Sequence, residues 1–383
     1  MRVKNRSVLA AGFVALATLG AACGGSDTKT TSTAAPAATT AAPAASTDAG
    51  STAAAAGGKV GVILPDTKSS VRWESFDRVY LGDAFKAAGV EYDIQNAEGD
   101  KNKMATIADQ MITSGVKVLL IVNLDSPSGA AIEKKAADAG VQTIDYDRLT
   151  LGGSAAAYIS FDNVKVGTLQ GEGLVKCLTD KGVAKPAVAV LNGSPTDNNA
   201  TLFASGYDAV IKPKFDAGEW TLVDDQSVPD WDNQKGGQIF EQMLTKAGGK
   251  VDGVLAANDG LGNAAIAVLK KNNLQVPVTG QDATPEGLKN ILAGDQCMTV
   301  YKAVKTEAKA AADAAIALLS GGTPATNGTV KDETGGRDVP AVLSDPVAIY
   351  KDNVKLVTDD GFVKVADICT ADLAAACAAA GIQ

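Results

Sequence analysis

Arg72 and Trp73 stand side by side just after the apolar run "KVGVILPD" (59–66), in a chain with only 3 Trp and no His. Comparable polar groups follow other apolar runs. Asn123 and Asp125 come after "KVLLIV", Asp147 and Arg148 after "QTIDY", and "GSPTDNNA" (193–200) after "AVAVLN". Asn258 and Asp259 close "VLAAND", Gln281 and Asp282 close "VTGQD", and Lys302 ends "MTVYK". Asp accepts from two hydroxyls, Arg donates as a fork, and Asn does both. An aromatic ring covers the apolar C–H face of a sugar. The set therefore suits a neutral, polyhydroxylated ligand. One Asn or Asp at such a place is ordinarily a helix cap; recurrence along the whole chain, with Trp present, points to a ligand.

Other chemistries are excluded by what is missing. Without His there is no His base, no His metal ligand and no Ser–His or Cys–His nucleophile system. "LNGSP" and "NDGLGN" match neither a P-loop nor GxGxxG, and no HExxH, paired CxxC or EF-hand loop occurs. A binding protein is expected rather than an enzyme, with no metal and no cofactor.

Elements of a particular kind must hold these groups. Short Val/Ile/Leu runs at 59–65, 90–95, 117–123 and 141–145 alternate with helix-like stretches at 75–88, 101–114 and 128–139. "KVLLIVNL" is apolar on both faces, as a central parallel strand is. The rhythm restarts with "AYISFDN" (157–163), and strands follow at 187–193, 220–225, 251–259, 276–283 and 297–302. An Ala-rich helix is predicted at 304–320, and 339–350 is extended. Alternating strands and helices imply parallel sheets, here two of them, hence a two-lobed α/β protein. Ligands of such sheets bind beyond the carboxyl ends of the strands, where the polar groups fall.

The chain's first 56 residues read differently. "MRVKNRSVLAAGFVALATLGAAC" has a basic start, an apolar stretch and small residues before Cys23. It reads as a lipoprotein signal (1–22) with Cys23 as the lipidation site; an ordinary signal cleaved near Ala22 is the alternative. Residues 23–56 are almost all Ala, Thr, Ser, Gly and Pro and read as a disordered tether with a reach of roughly 30 Å. No later segment is long and apolar enough to span a bilayer. The formal charge of −9 argues against a nucleic-acid partner.

The runs "VRWESFDR", "IDYDR", "YISFDN", "GSPTDNNA", "AANDG", "TGQDA" and "MTVYK", in this order, resemble the type I sugar-binding proteins of ABC importers, and among them the D-xylose-binding branch. The resemblance spans about 59–365; the tail after it has no counterpart. It implies two Rossmann-like lobes with parallel sheets, joined by a three-stranded hinge whose crossings lie near 148–158, 302–304 and 337–343. Lobe 1 would be 57–150 with 303–338, and lobe 2 would be 151–302 with 339–383. A pyranose would lie between Trp73 and Trp231. Arg72, Asp147 and Arg148 would bind it from lobe 1, and Asn198 or Asn199, Asn258, Asp282 and Lys302 from lobe 2 and the hinge. The implied partners are a monosaccharide, D-xylose first, and a membrane permease, with the chain itself a monomer. A sugar sensor presenting to a chemoreceptor or kinase would have the same site.

By the family's chain path Cys177, Cys297, Cys369 and Cys377 all fall in lobe 2. An even number of cysteines in an exported chain points to disulfides. A continuous helix would hold Cys369 and Cys377 about 12 Å apart, beyond the roughly 7 Å a disulfide tolerates, unless Cys369 lies off the helix. The expectation is Cys297–Cys369 and Cys177–Cys377.

Overall fold

A computed structural model describes residues 57–382. The expected signal, Cys23 and the tether lie outside the described residues. The strands are β1 (Lys59–Leu64), β2 (Glu91–Asn96), β3 (Val116–Ile121), β4 (Gln142–Tyr146), β5 (Ala157–Phe161), β6 (Ala187–Asn192), β7 (Thr221–Ser227), β8 (Gly253–Ala256), β9 (Thr299–Tyr301), β10 (Gly328–Asp332), β11 (Arg337–Ser344) and β12 (Val347–Ile349).

The first sheet runs β10-β11-β5-β4-β3-β1-β2. All its pairs are parallel except the β10–β11 hairpin. β1 and β5 are buried almost throughout, while the edge strand β2 is half-exposed, because helices cover both faces of the central strands. The second sheet runs β7-β6-β8. Beyond β8 the chain at 277–280 forms no regular strand. It bridges to β8 at Val278, and Val300 N–H of β9 donates to the Gly280 carbonyl. Pro277 has no N–H for a ladder, which limits the predicted strand 276–283 to this bridge. β9 then pairs antiparallel with β12, so both lobes are sheets flanked by helices, as expected.

The lobe boundaries differ from expectation. β5 pairs with β4 (Ile144 beside Ala157) and β11 pairs with β5 (Ala341 beside Tyr158). Residues 157–161 therefore complete the first sheet instead of opening the second, and 337–344 belong to the first sheet as well. The crossings fall at 162, 302–304 and 345–346, so the expected boundaries at 151 and 339 are early. An apolar strand carries the same pattern in either sheet, and nothing local distinguishes the two.

The cysteine pairing also differs. Cys177 pairs with Cys297 (Cα–Cα 6.4 Å) and Cys369 with Cys377 (5.9 Å). Cys369 ends the short helix Val365–Ile368 in a non-helical conformation, and the chain turns before the next helix, Ala374–Ala379. That turn, closed by Leu373 N–H to Thr370 O, removes the 12 Å separation a continuous helix would impose. The disulfide clips the tail to itself, while the tail packs on lobe 2 through Leu292, Val357 and Ile368. Among the described residues no helix is long and apolar enough to cross a membrane.

Candidate ligand-binding site

The carboxyl ends of β1 and β4 in lobe 1 face those of β6 and β8 in lobe 2. After β1 the chain winds into a wide turn, Trp73–Asp77, in which Arg78 N–H reaches back to the Trp73 carbonyl. Such π-type turns are frequent at functional sites. The turn points Arg72 inward, where it is 2 % exposed. Its Nε donates to Asp77 at 2.9 Å, Nη2 to Asp77 at 2.7 Å and also to Glu307, and Nη1 to Asp147 at 2.7 Å. Four of its five N–H groups are thus used within the protein. The guanidinium carbon lies 4.5 Å from the centre of the Trp73 ring, and Arg148 lies 5.5 Å from the same centre. The Trp beside a guanidinium is therefore a platform for two arginines, and Arg72 chiefly positions Asp147.

Three carboxyls surround Arg72, and they do not behave alike. Burial pushes the Asp147 carboxyl up, but Arg72, Lys302 and Arg148 outweigh it and hold the group below its ordinary range. Burial, reinforced by Asp147 and Asp77 and opposed by Arg72, pushes Glu307 well up. Burial opposes the charge on Arg72, yet Asp77, Glu307 and Asp147 together keep it more firmly protonated than usual. The site thus presents Asp147 as a carboxylate, able to accept from hydroxyls.

Lobe 2 answers across the cleft. Asn199 Nδ2 donates to the Asp147 carbonyl at 2.9 Å and to its Oδ1 at 3.2 Å. Arg148 Nε pairs with Asp197 at 3.0 Å, and the same Asp197 oxygen accepts from Trp231 Nε1 at 3.0 Å. Asn258 caps the helix Asp259–Lys271 through Leu261 N–H and donates to the Ser69 carbonyl of lobe 1 at 3.2 Å. Lys302 reaches Asp282 at 3.1 Å, and Ser70 reaches the other Asp282 oxygen at 3.4 Å. Behind Asp282 lies Asp259, fully buried, accepting from Thr284, Gln296 and Thr299. Burial first, then the charge of Asp282, push the Asp259 carboxyl up to about 7.

Among the described residues seven non-glycines have left-handed φ, and five of them line the cleft: Glu98 (55°), Asp147 (62°), Asp230 (60°), Trp231 (53°) and Asp282 (95°). Asp tolerates this region; Trp does not. Strain of this kind gathers where side chains must be aimed. Trp231 is held by Asp197, by an edge contact to Phe203 (6.3 Å between ring centres) and by Gly193, where any Cβ would run into the indole.

A central cavity of about 30 Å³ lies among these groups. It is lined by nine of the ten predicted residues: Arg72, Trp73, Asp147, Arg148, Asn199, Trp231, Asn258, Asp282 and Lys302. The tenth, Asn198, is half-buried and lines a different surface hollow beside Asp125 and Pro127. Asp197 caps that helix, so Asn198 is its first residue and Asn199 takes the inward place. The sequence reading placed Gln281 among the strand-end groups but not among the ligand contacts, and it missed Ser69, Ser70, Asp197 and Phe203 in the lining, and Asp77 and Glu307 behind Arg72. Glu307 shares a helix face with Val304, Ala308 and Ala311, all buried, and a lone carboxyl on an apolar face was the available signal. Among the described residues no group of three or more acidic or Cys side chains is arranged to hold a metal.

Residues 60–323 match the family model described as a periplasmic binding protein domain. The chain belongs to the periplasmic binding protein family. It is 35% identical over 313 residues to the D-xylose-binding periplasmic protein of Escherichia coli (strain K12), covering 81% of this chain and 92% of that one. It is 34% identical to the multiple sugar-binding periplasmic receptor ChvE of Rhizobium radiobacter, covering 80% and 91%. A carbohydrate transporter solute binding protein from Chloroflexus aurantiacus, solved with D-glucose, superposes with a TM-score of 0.73 at 30% identity, covering 80% of this chain and 97% of that one. An ABC transporter solute binding protein from Clostridium phytofermentans with bound β-D-glucose gives 0.75 at 28%, covering 81% and 99%. Like these relatives, this periplasmic binding protein is a solute binder, not an enzyme, and acts outside the cytoplasm.

Proposed function

We propose that this periplasmic binding protein is the solute-binding component of a sugar ABC importer, taking D-xylose or a close aldopyranose between its lobes. The observation that carries this is the convergence in one cavity of Asp147 and Arg148 from lobe 1 with Asn199, Trp231, Asn258 and Asp282 from lobe 2. These are acceptors, fork donors and an indole, the groups a polyol ring with apolar C–H faces needs. The D-xylose-binding relative and the two glucose-bound neighbours support the same ligand class.

The mechanism is closure. The Asn258–Ser69, Asn199–Asp147 and Arg148–Asp197 contacts cross between lobes and form only when the lobes meet. A ligand touching both lobes adds contacts to the closed state alone and so shifts the population toward it. The closed monomer then docks on a membrane permease, tethered through lipid on Cys23. The relative that is named a receptor favours a second use of the same closed form, presentation to a sensor.

A thermal-shift panel tests the function. Ligands that bind only the folded state raise Tm. D-xylose at millimolar concentration is expected to raise it; no rise with any pentose or hexose overturns the proposal.

A further inference from the structure

A second, larger cavity of about 210 Å³ lies beside the central one and shares three residues with it: Arg148, Asp197 and Trp231. It is more than tenfold what a single water needs, about 10–15 Å³. Both lobes build it. Lys68, Gly99 and Lys101 come from lobe 1, and Ser194, Thr196 and Lys235 from lobe 2. It therefore takes shape, as a hollow partly open to solvent, only when the lobes are together.

Three of its four basic side chains are paired within the protein, and the fourth, Lys68, shares a wall of mixed sign with the carboxylates of Asp66 and Asp232. Lys235 pairs with Asp230, Lys101 with Asp125, and Arg148 with Asp197. Such a wall has no unpaired cluster of one sign to draw in an ion, and it carries many donors and acceptors, which suits a neutral, hydroxyl-rich group. Trp231 stands at the boundary of the two spaces. Its left-handed backbone is fixed by Asp230 N–H to Ser194 Oγ and by Trp231 Nε1 to Asp197. The indole thus belongs to both walls, and it rests on Gly193.

We propose that the outer cavity is a second saccharide subsite, so that the protein takes a disaccharide or O-glycoside with one ring at the central residues and the next unit in the outer space. The proposal rests on the sugar reading above. One unit meets Asp147, Asn258 and Asp282. The glycosidic oxygen passes the Arg148–Asp197 pair, and the second unit meets Trp231, Ser194 and the lysines.

The test is calorimetric titration with D-xylose, D-glucose, xylobiose and cellobiose. It is repeated on Lys101→Trp and Lys235→Trp, which fill the outer cavity from opposite lobes at exposed positions. At least one disaccharide is expected to bind within tenfold of the best monosaccharide. Each Trp variant is expected to weaken that disaccharide at least tenfold and to change the monosaccharide less than threefold. Monosaccharide binding with no disaccharide binding overturns the subsite and leaves the sugar reading standing. So does disaccharide binding that both Trp variants leave unchanged. Failure of all four sugars overturns the sugar reading and the subsite together.

Discussion

Replacing Asn258 by Asp separates sugar affinity from folding at a single atom. Asn258 Oδ1 accepts from Leu261 N–H at 2.9 Å and caps its helix, while Nδ2 donates to the Ser69 carbonyl across the cleft at 3.2 Å. Aspartate caps as well as asparagine, and its charge suits a helix N-terminus. The substitution therefore keeps the first bond and removes the second, setting a carboxylate oxygen against a carbonyl. A buried acceptor left without a donor costs about 1–3 kcal/mol. Separated lobes return both oxygens to water, so that cost falls on the closed form alone. Affinity for D-xylose should drop roughly 5- to 150-fold, with Tm of the sugar-free protein nearly unchanged. Asn258→Ala is the control. It also loses the cap, worth about 1 kcal/mol, and should lower both affinity and Tm. Calorimetric titration and thermal melting of the two variants decide the matter. The reasoning is refuted if the Asp variant binds like the parent, or if it melts as early as the Ala variant.

Trp73 and Trp231 are 3 % and 5 % exposed and sit within the two lobe cores, so truncation of either to Ala should reduce stability by about 3–5 kcal/mol as well as sugar affinity. Trp220→Ala, at a core edge against Phe215, should lower Tm with affinity kept; an affinity loss as large as that of Trp231→Ala would falsify the distinction. Removing Cys177–Cys297, which closes 120 residues, should cost about 5 kcal/mol on chain entropy, against about 2.5 kcal/mol for Cys369–Cys377, which closes 8; equal melting of the two double-Ala variants would contradict this, as would a non-reducing peptide map linking 297 to 369. Asp259 holds its proton in the folded state up to about 7, whereas the unfolded chain releases it near 4. The folded form therefore binds more protons between those values, and this group's contribution is full below about 4 and lost as pH rises through about 7. Tm of the parent should decline more steeply from pH 5 to 8 than that of Asp259→Asn, and parallel curves would remove Asp259 from the account. Cys23→Ser should move the full chain from the membrane fraction to the soluble one; continued sedimentation with membranes argues against lipid at that residue.

Much of this molecule was legible residue by residue. The apolar runs at 59, 117 and 141 lie on β1, β3 and β4 to within two residues, because strands buried on both faces leave an unbroken Val/Ile/Leu signature. The strand-end polar groups converged because ligands of open sheets sit at those ends. What escaped depends on contacts between distant segments. β5 looks like any other apolar strand, and its pairing with β4 is decided by chain path. Asn198 and Asn199 are adjacent, and Asp197 settles which faces the cleft by taking the cap. Asp77 and Glu307 are hydrogen-bonded to Asp147 through Arg72, a relay invisible to spacing. The Cys369–Cys377 clip required knowing that the helix breaks after Ile368.

The central claim is that an aldopyranose is gripped between Asp147 and Arg148 on one lobe and Asn199, Asn258 and Asp282 on the other. Calorimetric titration of residues 57–383 with D-xylose tests it most directly. The account predicts saturable binding at one sugar per chain, weakened at least tenfold in Asp282→Ala. The absence of a binding isotherm for D-xylose and for every other aldopyranose at millimolar concentration would contradict it.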